Sequence, residues 1–158
     1  MPIYVKYGAI DGDVTEQGHK KWIEVNSFQW GVGRGISSPT GGSEDRESSA
    51  PSISEIVVTK PTDVASVKLL DEALHGSGTD VTIDFMKTDK GALSVYLEYT
   101  LTNVMVSGYS LSSGGDRPQE SLSFNFTKVL FKDVTLGADN KNIGSATVGY
   151  DLGLAKVL

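Results

Sequence analysis

The chain has 158 residues, with 14 Lys and Arg against 20 Asp and Glu, and a formal net charge of −6 at pH 7. This balance and the absence of any Lys/Arg cluster argue against a nucleic-acid-binding surface, and the absence of cysteine excludes disulfides, thiolate metal sites and cysteine catalysis. No apolar run approaches the ~20 residues that span a bilayer, and the N-terminus lacks the features of a signal peptide. We therefore expect one domain over residues 1–158, synthesised in the cytoplasm, with no membrane insertion.

The first half of the chain reads as strands followed by one helix. Alternating apolar residues predict strands at 3–7, 21–32 and 53–60. The segment 33–52 lacks periodicity and is rich in Gly, Ser, Pro and charge, which predicts a protruding loop that orders against a partner.

A helix is predicted at about 64–74, with Asp63 as its N-cap. Its apolar stripe should pack on the outside of a sheet, while Leu69 falls off the stripe. The stripe consists of Val64, Val67, Leu70 and Leu74.

The second half is dominated by a long antiparallel hairpin, residues 93–136, between predicted strands at 80–88 and 146–152. In its first arm, Val95 to Leu111, the apolar residues of odd number share one face. In the return arm the apolar parity slips by one residue after Phe126, which predicts a bulge or a corner where the strand changes sheets. The predicted fold class is mainly β, a two-sheet β-barrel or sandwich with one flanking helix.

Three short motifs resemble sites but lack the residues that those sites require. The acidic loop at 11–16 places Glu and not Gly at the sixth position of a calcium loop. The glycines at 31–35 are not followed by a helix, as a phosphate loop would be. His19 and His75 are not in a metal-binding spacing. We therefore predict no enzyme activity, no metal and no cofactor.

Six segments, in this order, resemble the Hcp family of bacterial type VI secretion tube proteins. They are IDGD at 10–13, GHK at 18–20, WIEVNSFQWG at 22–31, VTKPTDVAS at 58–66, YTLTNVMVSGY at 99–109 and GDRPQESLSF at 115–124. The resemblance implies a β-barrel of two packed sheets with a helix at its side. It also implies a homohexameric ring, stacked into a hollow tube that carries effectors and is secreted through the type VI apparatus. Its implied partners are further copies of itself and the spike, sheath and effector proteins.

Within that resemblance two sets of residues receive roles. The length and mixed charge of the segment 33–52 suggest that it contacts the next ring, and Ser27 and Gln29 are expected to face the lumen, opposite Phe28 and Trp30. The residues expected at the ring-stacking interface are Arg34, Glu44, Asp45, Arg46 and Glu47.

Two other functions remain compatible with the sequence. One is a monomeric small-molecule-binding β-barrel with Tyr and Phe side chains lining a pocket. The other is a phage tail-tube-like protein. Ring formation distinguishes the tube proteins from the ligand-binding barrel.

Overall fold

The computed structural model describes residues 1–38, 40–41, 47–89, 91–136 and 142–158 of the chain. Within these residues there are fourteen strands and one helix. The strands are β1 (Ile3–Tyr7), β2 (Ile23–Val25), β3 (Ser27–Gln29), β4 (Val32–Gly33), β5 (Ile36–Ser37), β6 (Glu47–Ser48), β7 (Ser52–Ile53), β8 (Ile56–Pro61), β9 (Thr79–Asp89), β10 (Ala92–Ser112), β11 (Gln119–Asn125), β12 (Lys128–Leu136), β13 (Asn142–Asp151) and β14 (Lys156–Val157), and the helix is α1 (Ser66–His75).

The strands form two packed antiparallel sheets that share the long strand β10. One sheet has the order β2-β1-β9-β10-β12-β13-β14, and we call it the large sheet. The other has the order β3-β8-β11-β10, and we call it the four-stranded sheet. The predicted mainly-β class with a flanking helix is confirmed, as a sandwich and not a closed barrel within the described residues.

Two asparagines mark the points where strands pass from one sheet to the other. Asn26 separates β2 from β3, and Asn103 lies within β10 at a backbone φ of 55°, in the left-handed region that Asn tolerates better than most residues. Because the backbone turns there, the buried parity changes. In β10 the buried residues shift from Tyr99 and Leu101 to Val104 and Val106. The prediction of one apolar face along this whole arm is therefore wrong at Met105, which is exposed. A bulge between Val106 and Gly108 then returns Tyr109 to the core side.

The predicted parity slip in the return arm is confirmed as a change of sheet. β11 pairs with β8 and the C-terminal half of β10, whereas β12 pairs with the N-terminal half of β10 and with β13. The corner between them is held by Thr127, whose backbone N–H donates to the carbonyl of Thr102 at 3.1 Å.

Apolar side chains from both sheets fill one core. It combines inward residues of β1, β2, β8, β9, β10, β11 and β12, and aromatic rings of Phe28, Phe85, Tyr99 and Phe131 pack at its edge with centroids 4.9 to 6.0 Å apart. Such tilted and edge-on ring contacts add stability beyond area burial. The fully buried members include Val5, Tyr7, Ile23, Ile56, Val58, Leu69, Val81, Ile83, Leu101, Val104, Leu122 and Phe124.

The helix packs with a different face from the one that we predicted. It begins at Ser66 and not at Val64, and its N-cap is Ala65, without a side-chain capping bond; Asp63 instead accepts from the Ala65 N–H at 3.0 Å. Leu69 is 1% exposed and packs in the core with Ala65. The predicted stripe is exposed, and we call it the helix ridge: Val64, Val67, Leu70 and Leu74.

Two further differences concern short strands. The segment 33–52 is not wholly a loop, because β4 pairs with β7 and β5 pairs with β6. The side chains of β5 and of residues 48–50 are exposed. The last predicted strand starts earlier, at Asn142, and β14 pairs with its end. No helix among the described residues is long and apolar enough to cross a membrane.

Candidate functional site: the surfaces of the four-stranded sheet

The outward side of the four-stranded sheet is rich in hydroxyl groups, and the carboxylate of Glu55 lies on it beside Val57 and Ser123. Directly paired residues of antiparallel strands point to the same side, so the ladder defines this surface. One row across the four strands carries only hydroxyl side chains, and the next carries Gln29, Val57, Ser123 and Gly108. We call this surface the polar sheet face, and its hydroxyl row is Ser27, Thr59, Ser121 and Ser110.

Both residues that were predicted to face a lumen lie on the polar sheet face. Ser27 and Gln29 are exposed, and the Ser27 Oγ lies 2.5 Å from the Thr59 Oγ1. The intervening Phe28 points the other way and contacts Phe85 and Tyr99 in the core. The predicted alternation is therefore present within one copy of the chain.

The four-stranded sheet has two open edges. β3 pairs only with β8, and residues 105–112 of β10 pair only with β11 among the described strands. Open edges expose unpaired N–H and C=O groups, which natural proteins cover or protect. The two edges lie on opposite sides of the same sheet, so a neighbouring copy could cover each of them.

Behind the polar sheet face, a buried ion cluster joins the sheet to the helix. The Lys60 ammonium is fully buried, and its Nζ lies 3.0 Å from Glu120 Oε1 and 2.9 Å from Asp63 Oδ1. It also donates to the carbonyl of Pro61 at 3.0 Å, and Ser66 at the helix start donates to Glu120. Each buried charge is paired and hydrogen-bonded, as burial of charge requires.

The protonation of this cluster is set by its hydrogen bonds. Burial alone would raise the pKa of Glu120, but hydrogen bonds from Ser66 and Tyr109 and the charge of Lys60 hold that pKa below its usual value. Burial and the neighbouring Glu120 raise the pKa of Tyr109 to about 12. Glu120 is therefore an anion and Tyr109 a neutral donor at physiological pH.

A second cluster holds the polar loop between β1 and β2 against the large sheet. His19 is buried, with Nδ1 2.5 Å from Glu16 Oε2 and Nε2 2.8 Å from Asp84 Oδ2. Burial would raise the pKa of Glu16, but the hydrogen bonds from His19 and Gly18 lower it. Burial and Asp84 raise the pKa of Glu98. The two contacts of His19 join the loop to β9. The described residues contain no group of three His, Cys, Asp or Glu arranged to hold a metal ion.

The predicted ring-stacking residues can be located only in part. Arg34 is exposed, between β4 and β5. Glu47 lies in β6, paired with Ser37, but its side chain is outside the described structure, and so are Glu44, Asp45 and Arg46. Their role therefore stays a prediction.

An apolar groove opens beside β3, with a volume of about 280 Å³. It lies between residues 30–32 and 51–53 on one side and the strands β10, β12, β13 and β14 on the other. We call it the edge groove, and its walls include Trp30, Val32, Ile53, Phe131, Val148 and Val157. The groove offers few polar groups to orient a small ligand, which weakens the alternative of a ligand-binding barrel.

Neither buried cluster is among the sequence-based predictions, although the sequence carries a signal for the first. Lys60 and Glu120 continue the buried parity of Ile56 and Val58 and of Leu122 and Phe124. Opposite charges in phase with apolar residues on two strands indicate a buried pair once those strands are known to be neighbours. No comparable pattern links His19 to Asp84, because His19 lies in a loop, where no strand alternation marks it as buried.

Comparison with known proteins identifies one family. A family model described as "Type VI secretion system effector, Hcp" matches residues 4–132. No curated protein matches the sequence.

The fold is also similar to solved structures over nearly its whole length. A structure titled as a type six secretion system protein has 32% identity, covers 99% of both chains and superimposes with a TM-score of 0.87. Hcp1 from Salmonella typhimurium has 24% identity, covers 99% of this chain and 98% of its own, with a TM-score of 0.77. The secreted protein Hcp3 from Pseudomonas aeruginosa has 19% identity, covers 95% and 99%, with a TM-score of 0.67.

Proposed function

Because the chain belongs to the Hcp family and is a tube component of the type VI secretion system, we propose that its polar sheet face lines the lumen of a closed homohexameric ring. Rings of this kind stack into a tube that is secreted with its effector cargo. The observation that carries the proposal is the uncharged hydroxyl row, Ser27, Thr59, Ser121 and Ser110, on a sheet with two open edges.

Two physical features favour a ring with this orientation. Open edges on opposite sides of one sheet suit a heterologous contact, in which each copy presents one edge to the next until the rotation closes. A hydroxyl-rich face remains hydrated and offers no adhesive apolar surface to a passing protein, and Glu55 adds one carboxylate to it. The same face would be a poor choice for an interface core, where aromatic and aliphatic side chains are enriched.

The lumen assignment can be tested with single cysteines, because the chain has none of its own. We expect Ser27→Cys and Gln29→Cys to react readily with a bulky PEG-maleimide in isolated rings and slowly in assembled tubes, since tubes admit the reagent only at their ends. Lys20→Cys, in the exposed loop over the other sheet, is the matched control and should react equally in both states. Equal labelling of Ser27→Cys and Lys20→Cys in tubes would contradict the assignment.

The segment 33–52 provides a second prediction, on stacking. Deleting residues 38–50 should leave ring formation intact and abolish tubes in negative-stain images, because the contacts between rings are removed while both sheets are kept. A length-matched control, with Arg34, Glu44, Asp45, Arg46 and Glu47 all replaced by Ser or Gln, separates the loss of charge from the loss of the segment. Tubes of normal length from the deletion variant would show that this segment does not stack rings.

A further inference from the structure

One buried histidine attaches the polar loop between β1 and β2 to the large sheet. His19 is 7% exposed, although the residues on either side of it, Gly18 and Lys20, are exposed. Its ring contacts the rings of Tyr4 and Trp22, with centroids 5.3 and 4.5 Å away. The loop therefore reaches the sheet through this side chain, and a change in the charge of the ring changes how the loop is held.

Both ring nitrogens of His19 face carboxylate oxygens. Nδ1 lies 2.5 Å from Glu16 Oε2, and Nε2 lies 2.8 Å from Asp84 Oδ2. A neutral imidazole has one N–H and one lone pair, so it donates to only one of these oxygens and turns its lone pair toward the other, whereas an imidazolium donates to both. While Glu16 and Asp84 are ionised, both contacts are therefore hydrogen bonds only when the ring carries two protons.

The side chains that face His19 from the neighbouring strands are mostly acidic. They stand in one row of directly paired residues that crosses the large sheet, and the single cation of that row lies at its far end, beyond Glu98. On the same side of β1, Lys6 is engaged by Asp11 at 3.7 Å. This surrounding charge favours the imidazolium form of the ring. The row is Glu24 of β2, Tyr4 of β1, Asp84 of β9, Glu98 of β10 and Lys132 of β12.

The two contacts of His19 respond differently to the loss of one proton. The side chain of Asp84 is 6% exposed and that of Glu16 is 22% exposed. A buried carboxylate without its donor pays the full cost of desolvation, whereas a partly exposed one is hydrated when its segment moves outward. The neutral ring therefore keeps its proton on Nε2, toward Asp84, and the contact with Glu16 is the one that opens.

The carboxylate of Glu16 stays ionised over the range in which a histidine changes charge. Burial opposes ionisation, but the hydrogen bonds from His19 and Gly18 outweigh it and lower the pKa of Glu16. The contact is therefore present while the ring is an imidazolium, and it is lost as the pH rises and the ring becomes neutral.

We propose that His19 is a pH-sensitive switch for this loop, closed while its ring carries two protons and open on the Glu16 side after one proton is lost. Opening frees the backbone beside the ring, where the His19 N–H donates to the Glu16 carbonyl at 3.0 Å and the Lys21 N–H donates to the Val14 carbonyl at 2.7 Å. The Nε2 contact persists, so the loop stays attached to β9. The switch acts within one copy of the chain and does not depend on ring closure.

Histidine NMR tests the protonation directly, because the chain has two histidines and the second, His75, is exposed at the end of α1. Two-bond ¹H–¹⁵N spectra should show protons on both nitrogens of His19 at about pH 6 and on Nε2 alone at about pH 8. His75 serves as the reference, since no buried carboxylate holds its ring. A singly protonated His19 at the lower pH, or a proton on Nδ1 alone at the higher pH, contradicts the switch.

Hydrogen exchange measures the loop itself. In the unmodified protein, the protection factors of the amides of residues 14–22 should fall about tenfold between the same two pH values, because one charge-assisted hydrogen bond is lost. Glu16→Gln should abolish this fall, since an amide side chain turns either its oxygen or its N–H toward the ring. Glu24→Gln is the matched control, because it removes an exposed carboxylate of the same row, and it should keep the fall.

Two results of the exchange experiment would overturn the switch: equal protection at both pH values in the unmodified protein, or an undiminished fall in Glu16→Gln. Light scattering at both pH values selects a concentration at which the mass is the same, so that assembly does not contribute. The outcome is therefore independent of whether the chain forms the ring proposed above.

Discussion

Lys60→Met should lower the free energy of unfolding by about 3–5 kcal/mol, because it leaves Glu120 and Asp63 as buried carboxylates without their cation. The measurement is urea-induced unfolding at a protein concentration at which light scattering gives a monomer, so that assembly does not contribute. Lys68→Met is the matched control, since Lys68 is an exposed helix residue, and it should change the stability by less than about 0.5 kcal/mol. Equal stability of the two variants would show that the cluster contributes little.

A double variant and a pH series identify the origin of that loss. Lys60→Met/Glu120→Leu should be more stable than Lys60→Met alone, because it removes one of the unpaired charges. The lowered pKa of Glu120 means that its contribution is present above its unfolded value of about 4.5 and is lost as the pH falls through the lower folded value. The unmodified protein should therefore lose stability on acidification more steeply than the double variant does.

Leu69→Ala should destabilise the monomer by about 2–5 kcal/mol, as expected for truncation of a fully buried leucine that leaves a cavity. Leu69 is the residue by which α1 enters the core, beside Ala65. The loss should appear as a shift of the urea midpoint with an unchanged slope, because the unfolded state gains no new structure.

Leu74→Ala is the matched control for Leu69→Ala. It lies on the same helix and makes the same chemical change, but Leu74 is exposed, so the monomer should change by less than about 0.5 kcal/mol. If Leu74→Ala proved the more damaging of the two in the monomer, the helix would pack with the stripe that the sequence alone suggests.

For the helix, the sequence predicts the position along the chain but not the face that is buried. Its position between Pro61 and Gly76 is clear from the residue types, and the observed start differs by two residues. The buried face is not clear from the residue types. The most apolar arc of an isolated helix normally packs inward, but here the inward arc is made of Ala65, Leu69 and Ala73, and the richer arc is left outside. An exposed apolar arc carries the same sequence pattern as a buried one, so the pattern alone does not identify the face that packs.

The corners were predictable in one arm of the hairpin and not in the other. After Phe126 the apolar parity visibly slips, and the sheet change follows from it. In β10, Tyr99, Leu101, Met105 and Tyr109 keep one parity through the corner, so nothing in the pattern reveals that Asn103 turns the strand. The polar sheet face was predicted at Ser27 and Gln29 only, because its other hydroxyl residues become neighbours through pairings distant in sequence.

The strand order of the four-stranded sheet also imposes a sequence of events on folding. β3 and β8 can pair as soon as both exist, but β8 finds its second partner only when residues 119–124 have been synthesised. Until then Lys60 has no Glu120 and the apolar side of β8 has no cover. Long-range pairings of this kind are entropically costly and form late, whereas the hairpin of β10 with β11 is local. The hairpin is therefore the template on which the N-terminal third of the chain is completed, and a ribosome-bound chain that lacks it holds an aggregation-prone edge.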